Sequence, residues 1–179
     1  TQYRPQGVLV DIGCGPGYLA ARISRRFPGL RVIGVDTNDQ VLTIAKHNWP
    51  SQAYPNVEFS VGDAQQLPFA DGVVDFAIST LSLHHWANAA IAVRELHRVL
   101  RPGGQFLLFD LRRDSPRFIY YGLRLWQALL APAAIRRTNG AVGSFWASYT
   151  PSELKAILAT IPLQEQQIQT GLGWVLAWG

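Results

Sequence analysis

Short apolar runs alternate with amphipathic stretches along much of this 179-residue chain, and the alternation sets its architecture. Val8, Leu9 and Val10 form a continuous apolar run, the pattern of a strand covered on both faces. Tyr18 to Phe27 reads as a helix. Arg31 to Asp36 (Arg-Val-Ile-Gly-Val-Asp) gives a second buried strand, and Thr37-Asn38-Asp39 caps a helix through Lys46 that Pro50 and Pro55 close. Val57 to Val61 and Gly72 to Ser79 supply a third and a fourth strand. Asn88 caps a helix with Ala92, Leu96, Val99 and Leu100 on one face. Arg101-Pro102-Gly103-Gly104 ends it, a glycine providing the left-handed exit, and Gln105 to Asp110 is the fifth strand. Thr150-Pro151-Ser152-Glu153 has the form of a capping box and opens a helix to Thr160. Gln164 to Gln169 and Gly173 to Trp178 read as two strands joined by a tight turn. Strands alternating with helices predict an α/β fold around a mostly parallel sheet.

Composition narrows this picture. At 48% apolar and 16% charged the chain makes one domain, residues 1–179, with a substantial core. A single cysteine, Cys14, rules out an internal disulfide and a thiolate metal cluster, so no metal is expected and a reducing cytoplasm is the expected location. No apolar run reaches the length of a membrane span. The sequence contains no methionine, so Thr1 is not expected to be a translation start.

The first strand runs directly into Asp11-Ile-Gly13-Cys14-Gly15-Pro-Gly17 and then into a helix. Glycines at such a turn let a ligand approach bare backbone. The dinucleotide pattern needs its third glycine three places after the second. Here Gly17 follows Gly15 by two places and Tyr18 holds the expected site, which disfavours an NAD-linked oxidoreductase. Asp11 points the same way, because a carboxylate there would repel pyrophosphate and suit a ligand with an amino group. Cys14, inside the loop, reads as a small buried filler. At the end of the second strand Asp36 is placed to accept hydrogen bonds from both hydroxyls of a ribose. Asp63, beyond the third strand, lies in a stretch that on its own is only a polar loop.

Asp-x-Gly-x-Gly-x-Gly after a strand resembles the opening motif of the class I S-adenosylmethionine-dependent methyltransferases. Gly62-Asp63-Ala64-Gln65-Gln66-Leu67-Pro68-Phe69 and Arg98-Val-Leu-Arg-Pro-Gly-Gly104 resemble further motifs of that family. Leu83-His84-His85 is similar to its type 11 branch, the ubiquinone and menaquinone biosynthesis enzymes. The resemblance covers Val8 to Asp110 and, by pattern only, the last thirty or so residues. It implies a three-layer, Rossmann-like sandwich with a mostly parallel seven-stranded sheet and an antiparallel last strand. It also implies helices before the first strand, which this sequence lacks. S-adenosylmethionine would be held by Asp11, Gly13, Cys14, Gly15, Gly17, Asp36, Thr37, Asp63, Ala64, Ser79, Thr80 and Leu81. His84 and His85 are the only candidates for a catalytic base, and a structural role suits them equally. The acceptor would be a small, apolar molecule.

One segment stands apart. Arg112 to Arg137 holds Arg112, Arg113, Arg117, Arg124, Arg136 and Arg137 against a single acid, Asp114, so the chain's net charge of +4 is concentrated there. Within it Phe118 to Ala131 is apolar on almost every side. A helix of that kind is buried or faces something apolar. By resemblance, the insertion at about 112–149 covers the substrate, which would face His84, Tyr120, Tyr121, Arg124 and Tyr149. A wholly buried lid is the favoured expectation, and peripheral contact with an anionic membrane is the other. A non-catalytic cofactor-binding module docking through this segment, and an RNA methyltransferase reading the interleaved arginines and aromatics, are the remaining rivals; nucleic acid is not the expected partner.

Overall fold

The computed structural model describes residues 5–131, 140–162 and 166–179. Seven strands form one sheet in the order β3-β2-β1-β4-β5-β7-β6. They are β1 (Gly7–Ile12), β2 (Leu30–Asp36), β3 (Val57–Val61), β4 (Val74–Thr80), β5 (Leu100–Leu111), β6 (Gln167–Thr170) and β7 (Trp174–Trp178). The first five pair in parallel, while β7 runs antiparallel to both β5 and β6. Helices α1 (Tyr18–Arg26) and α2 (Asp39–Asn48) cover one face at its β1–β3 side. Helices α3 (Ala89–Val99) and α6 (Pro151–Leu158) cover the other. This is the expected three-layer α/β sandwich.

The central strands behave as their sequences require. Val10, Val32, Val74, Ala77 and Leu108 are buried in the interior of the sheet, and Ala92, Val93, Leu96 and Val99 bring one stripe of α3 onto it. Each buried valine or leucine among these contributes about 1.5–3 kcal/mol relative to exposure. Local chemistry places the helix starts. Asn38 Oδ1 accepts from the Gln40 and Val41 N–H groups, and Asn88 Oδ1 from that of Ile91. Thr150 and Glu153 exchange both bonds of the predicted capping box.

Boundaries differ from expectation in places. Helix α3 ends at Val99, and Leu100 already has extended geometry. Arg101 to Gly104 therefore does not cap a helix. It bulges out of β5, whose partner register jumps from Val74↔Leu100 to Phe76↔Gln105, and the positive φ of Gly103 (76°) serves that bulge. Strand pairing across the bulge outweighs the local turn signal. Helix α6 stops at Leu158 rather than Thr160. Strand β6 begins at Gln167, and residues 164 and 165 of the expected strand lie outside the described residues.

The segment after β5 departs most. Helix α4 (Arg117–Leu129) is followed by an unexpected α5 (Gly140–Ala147), and Arg136 and Arg137 lie outside the described residues. No residue of α4 is buried, so the wholly buried lid is overturned for the described part. Only Ile119, Tyr120, Leu123 and Gln127 are half-buried, because α4 packs along one side, on α5.

Candidate cofactor and acceptor site

The loop between β1 and α1 is built from its backbone. Gly13 N–H and Cys14 N–H both donate to Val35 O, at 2.7 and 3.0 Å. Gly15 N–H donates to Asp36 Oδ2 at 2.9 Å, and Gly17 N–H to Cys14 O at 3.0 Å. Pro16 has no N–H. Every loop donor up to α1 is thus consumed within the protein, so this turn offers no nest of free amides to a pyrophosphate. That disfavours the dinucleotide reading on structural grounds, beyond the glycine spacing.

Gly15 and Gly17 divide the work of the turn. Gly15 has φ 51°, and a Cβ there would meet nothing within 4 Å, because it faces an open cleft. Gly17 has φ 78° and starts α1, and a Cβ there would come within 2.5 Å of the Phe59 ring. Gly15 bares backbone to a ligand, whereas Gly17 lets α1 sit close to the sheet.

The cleft has a volume of about 400 Å³ at the carboxyl ends of β1, β2 and β4, where open parallel sheets bind ligands. Of the residues expected to hold cofactor, Gly13, Gly15, Asp36, Thr37, Asp63, Ala64 and Leu81 line it. Asp36 is set by two backbone donors, Gly15 N–H on Oδ2 and Asn38 N–H at 2.9 Å on Oδ1, which aim its carboxylate at the cleft. Asp63 Oδ1, just beyond the neighbouring strand β3, accepts from Gln65 N–H at 2.8 Å. Leu81 is the only non-glycine residue with positive φ among the described residues, at 54°, and its N–H donates to Phe109 O. A bulky residue held in that region is strain of the kind found at binding sites.

Other expected contacts do not reach the cleft. Cys14 is buried beneath the loop, with its thiol pushed up by burial and by Asp11 and Asp36. Gly17 packs as described, and neither Ser79 nor Thr80 lines the cleft. Asp11 is 2% exposed and lies behind the loop, where it accepts from the Ala20 N–H in the first turn of α1. Burial pushes its carboxyl up to about 7. Its Oδ2, and the Ser79 hydroxyl, are buried without a partner among the described residues.

The two histidines separate. His84 is buried, its Nδ1 2.7 Å from Asp110 Oδ1 and its backbone N–H donating to Asp110 Oδ2 at 3.0 Å. His85 lines the cleft, and its ring lies 4.1 Å from that of His84, centroid to centroid. Burial, and then the neighbouring His84, holds the His85 imidazole below its ordinary pKa, which favours the neutral base. Asp110 went unnoticed in the sequence, although an acid ending an apolar strand is the same signal that marks Asp36. Ser82 and Trp86, also in the cleft wall, are joined by Trp86 Nε1–H donating to Ser82 Oγ at 3.2 Å, a pairing no spacing rule marks.

A second cavity of about 330 Å³ lies between α4 and α5, walled by Arg113, Arg117, Tyr120, Tyr121, Phe145 and Trp146. Tyr120 packs against Phe145 and Trp146, with ring centroids 5.6 and 5.3 Å away. Arg124 lies over the Tyr120 ring at 5.8 Å, outside the cavity wall. Tyr149 is partly buried against the core.

The first cleft fits S-adenosylmethionine. Asp36 and Asp63 both line it at the ends of the neighbouring strands β2 and β3, as carboxylates suited to accept from ribose hydroxyls and an adenine amine, and the bare backbone at Gly15 leaves room for a ligand. Asp36→Ala should weaken binding of S-adenosylhomocysteine by roughly 1–3 kcal/mol, the cost of leaving ribose hydroxyls unpaired. Calorimetry on the folded variant checks this, and unchanged affinity would make Asp36 a purely structural brace of the loop.

Known proteins resemble this chain in sequence and in fold. A demethylmenaquinone methyltransferase of Symbiobacterium thermophilum is 29% identical over 136 residues, covering 73% of this chain and 53% of that protein. A fatty-acid O-methyltransferase of Mycolicibacterium smegmatis is 34% identical over 130 residues, 72% of this chain and 43% of the relative. Against such curated relatives the chain spans between about a third and a half of their length. Among solved structures, a SAM-dependent methyltransferase from Aquifex aeolicus superimposes with TM-score 0.71 at 16% identity, over 99% of this chain and 83% of that one. Haemonchus contortus phosphoethanolamine N-methyltransferase 2, in complex with S-adenosyl-L-methionine, gives 0.73 at 18% identity, over 94% and 35%. Both likenesses are of fold. Residues 10–108, from the middle of β1 to the middle of β5 and so more than half of the chain, match the family described as "Methyltransferase domain", and the chain belongs to that family.

Proposed function

We propose that this domain transfers the methyl group of S-adenosylmethionine to a small, apolar acceptor. The observation that carries the reading is the pairing of two spaces at one end of the sheet. One is a polar cleft whose loop donors are already spent, and the other is an aromatic cavity under α4 and α5. The cofactor supplies an electrophilic methyl on a sulfonium centre. The protein's own part is to position and to exclude water, which accounts for most of the gain in such a transfer. Asp36 and Asp63 orient the cofactor's adenosine portion at its ribose and its adenine, and Tyr120, Phe145 and Trp146 give an acceptor an apolar wall. Segment 112–149 serves as the substrate cover. His85, at the cleft wall and biased towards its neutral form, is the group suited to take a proton from an acceptor hydroxyl or carbon acid. His84 holds the turn beside it. Relatives named for a demethylated quinone and for a fatty acid support an apolar acceptor.

Thermal denaturation tests the cofactor half. S-adenosylmethionine and S-adenosylhomocysteine at a hundredfold excess over the dissociation constant should stabilise the fold by about 2.7 kcal/mol. That corresponds to a rise of about 5–10 °C in a chain of this size, whereas NAD should leave the melting temperature unchanged. Stabilisation by NAD alone would overturn the assignment. Methyl-labelled cofactor incubated with a metabolite extract tests the acceptor half, with label expected in the fraction extractable into organic solvent.

A further inference from the structure

Helix α4 has an exposed apolar surface that touches the second cavity only at Tyr121. Its half-buried side is Ile119, Tyr120, Leu123 and Gln127. On the opposite side Phe118, Tyr121, Leu125 and Leu129 form a row at helical spacing, exposed by 62%, 60%, 62% and 66%. Folded domains seldom leave a contiguous apolar row of this size in water without a partner.

Charge says what kind of partner. Between Asp114 and Glu153 the sequence has four arginines and no carboxylate. Arg112 and Arg113 are committed within the fold, to Asp114 and Gly171 O and to Glu153 and Ser148 O respectively. Arg117 and Arg124 have no ion-pair partner among the described residues, and helical spacing puts both on one flank of the exposed row. Trp126, 40% exposed, stands on the other flank. An apolar row edged by an aromatic and by arginines with no carboxylate partner among the described residues is the surface of a helix lying in a lipid interface. A protein groove would instead be expected to meet those arginines with acids from its own side.

We propose that α4 docks this domain on an anionic lipid surface. Phe118, Tyr121, Leu125 and Leu129 enter the acyl boundary, while Arg117 and Arg124 meet the headgroups. Tyr121 belongs both to this row and to the wall of the aromatic cavity, so that cavity lies next to the bilayer when α4 is docked. The docking does not depend on the reaction. Its consequence for substrate, an acceptor drawn from the membrane, does rest on the proposed methyl transfer.

Co-sedimentation of the full chain with vesicles tests the docking without any turnover. The chain should bind phosphatidylglycerol-containing vesicles at low salt, bind pure phosphatidylcholine weakly, and lose most of its binding at high salt. Arg117→Gln and Arg124→Gln should each weaken binding to the anionic vesicles by about fivefold. A triple variant, Phe118→Ser, Leu125→Ser and Leu129→Ser, should abolish it, while S-adenosylhomocysteine still raises the melting temperature of that variant. No binding of the wild-type chain at low salt would overturn the proposal. So would a triple variant that binds as well as wild type, or sedimentation showing a dimer that the triple variant breaks in the absence of lipid binding.

Discussion

Asp110→Ala should destabilise the fold by about 3–5 kcal/mol, the range for removing one member of a buried charged or hydrogen-bonded pair. The Asp110 carboxylate is 2% exposed and accepts three bonds, from His84 N–H, the His84 ring and, at 2.7 Å, Leu111 N–H. Alanine would leave two backbone donors and an imidazole nitrogen unpaired where water does not reach, and each such group costs about 1–3 kcal/mol. The melting temperature should fall by about 6–20 °C. Asparagine keeps one acceptor oxygen and should lie between the two. Because the bond to His84 N–H anchors the turn Leu83–His85, the alanine variant should also lose cofactor affinity through movement of His85 and Ser82 in the cleft wall. A melting temperature within about 2 °C of wild type would mean that the pair contributes little and that other packing positions the turn.

The second large effect is a pH dependence centred on Asp11. Burial is the main cause that lifts its carboxyl from an ordinary value of 3.8 to about 7, with the Asp36 carboxylate adding to it and the Ala20 N–H opposing it. A folded-state value above the unfolded one means that the native protein holds this proton more tightly than the unfolded chain. The stabilisation is therefore complete below about pH 4 and is lost as pH rises through about 7. Integrated over that window the loss amounts to about 4 kcal/mol. Asp11→Asn keeps the shape and removes the titration. Relative to wild type the variant should gain stability steadily between about pH 4 and pH 7 and remain more stable at about pH 8. Urea denaturation of both proteins across that range measures the difference directly. Taking the difference also cancels the opposing contributions of Glu58, Glu95, Asp114 and Glu153, whose carboxyls are held low by arginine partners or, for Glu153, chiefly by the Thr150 backbone. Parallel stability profiles would mean that water or local rearrangement reaches Asp11 and that its burial costs nothing.

What the sequence determined by itself is whatever a few neighbouring residues decide. The apolar run into Gly13, Gly15 and Gly17 specifies a strand, a tight turn and a helix, since backbone sterics act over such distances. The caps at Asn38, Asn88 and Thr150 are likewise complete within four residues. Asp36 was legible because a strand end in a parallel sheet has one possible destination, the ligand edge. The tertiary structure alone decided the rest, through groups distant in the chain. Asp11 and Asp36 look alike in sequence and face the same side of the sheet, yet one is sealed beneath the loop and α1 while the other, the last residue of β2, opens on the cleft. His84 and His85 are adjacent, but Asp110, 26 positions later, takes the first and leaves the second at the cleft. The glycines after Arg101 carry a helix-end signal that pairing between β4 and β5 turns into a bulge. Arg112 and Arg113 read as free charge until Asp114 and Glu153 are seen to hold them. The exposure of α4 could not be read at all, because a helix apolar all round has no preferred inner face, and only its neighbours choose which side meets protein and which is left for something else.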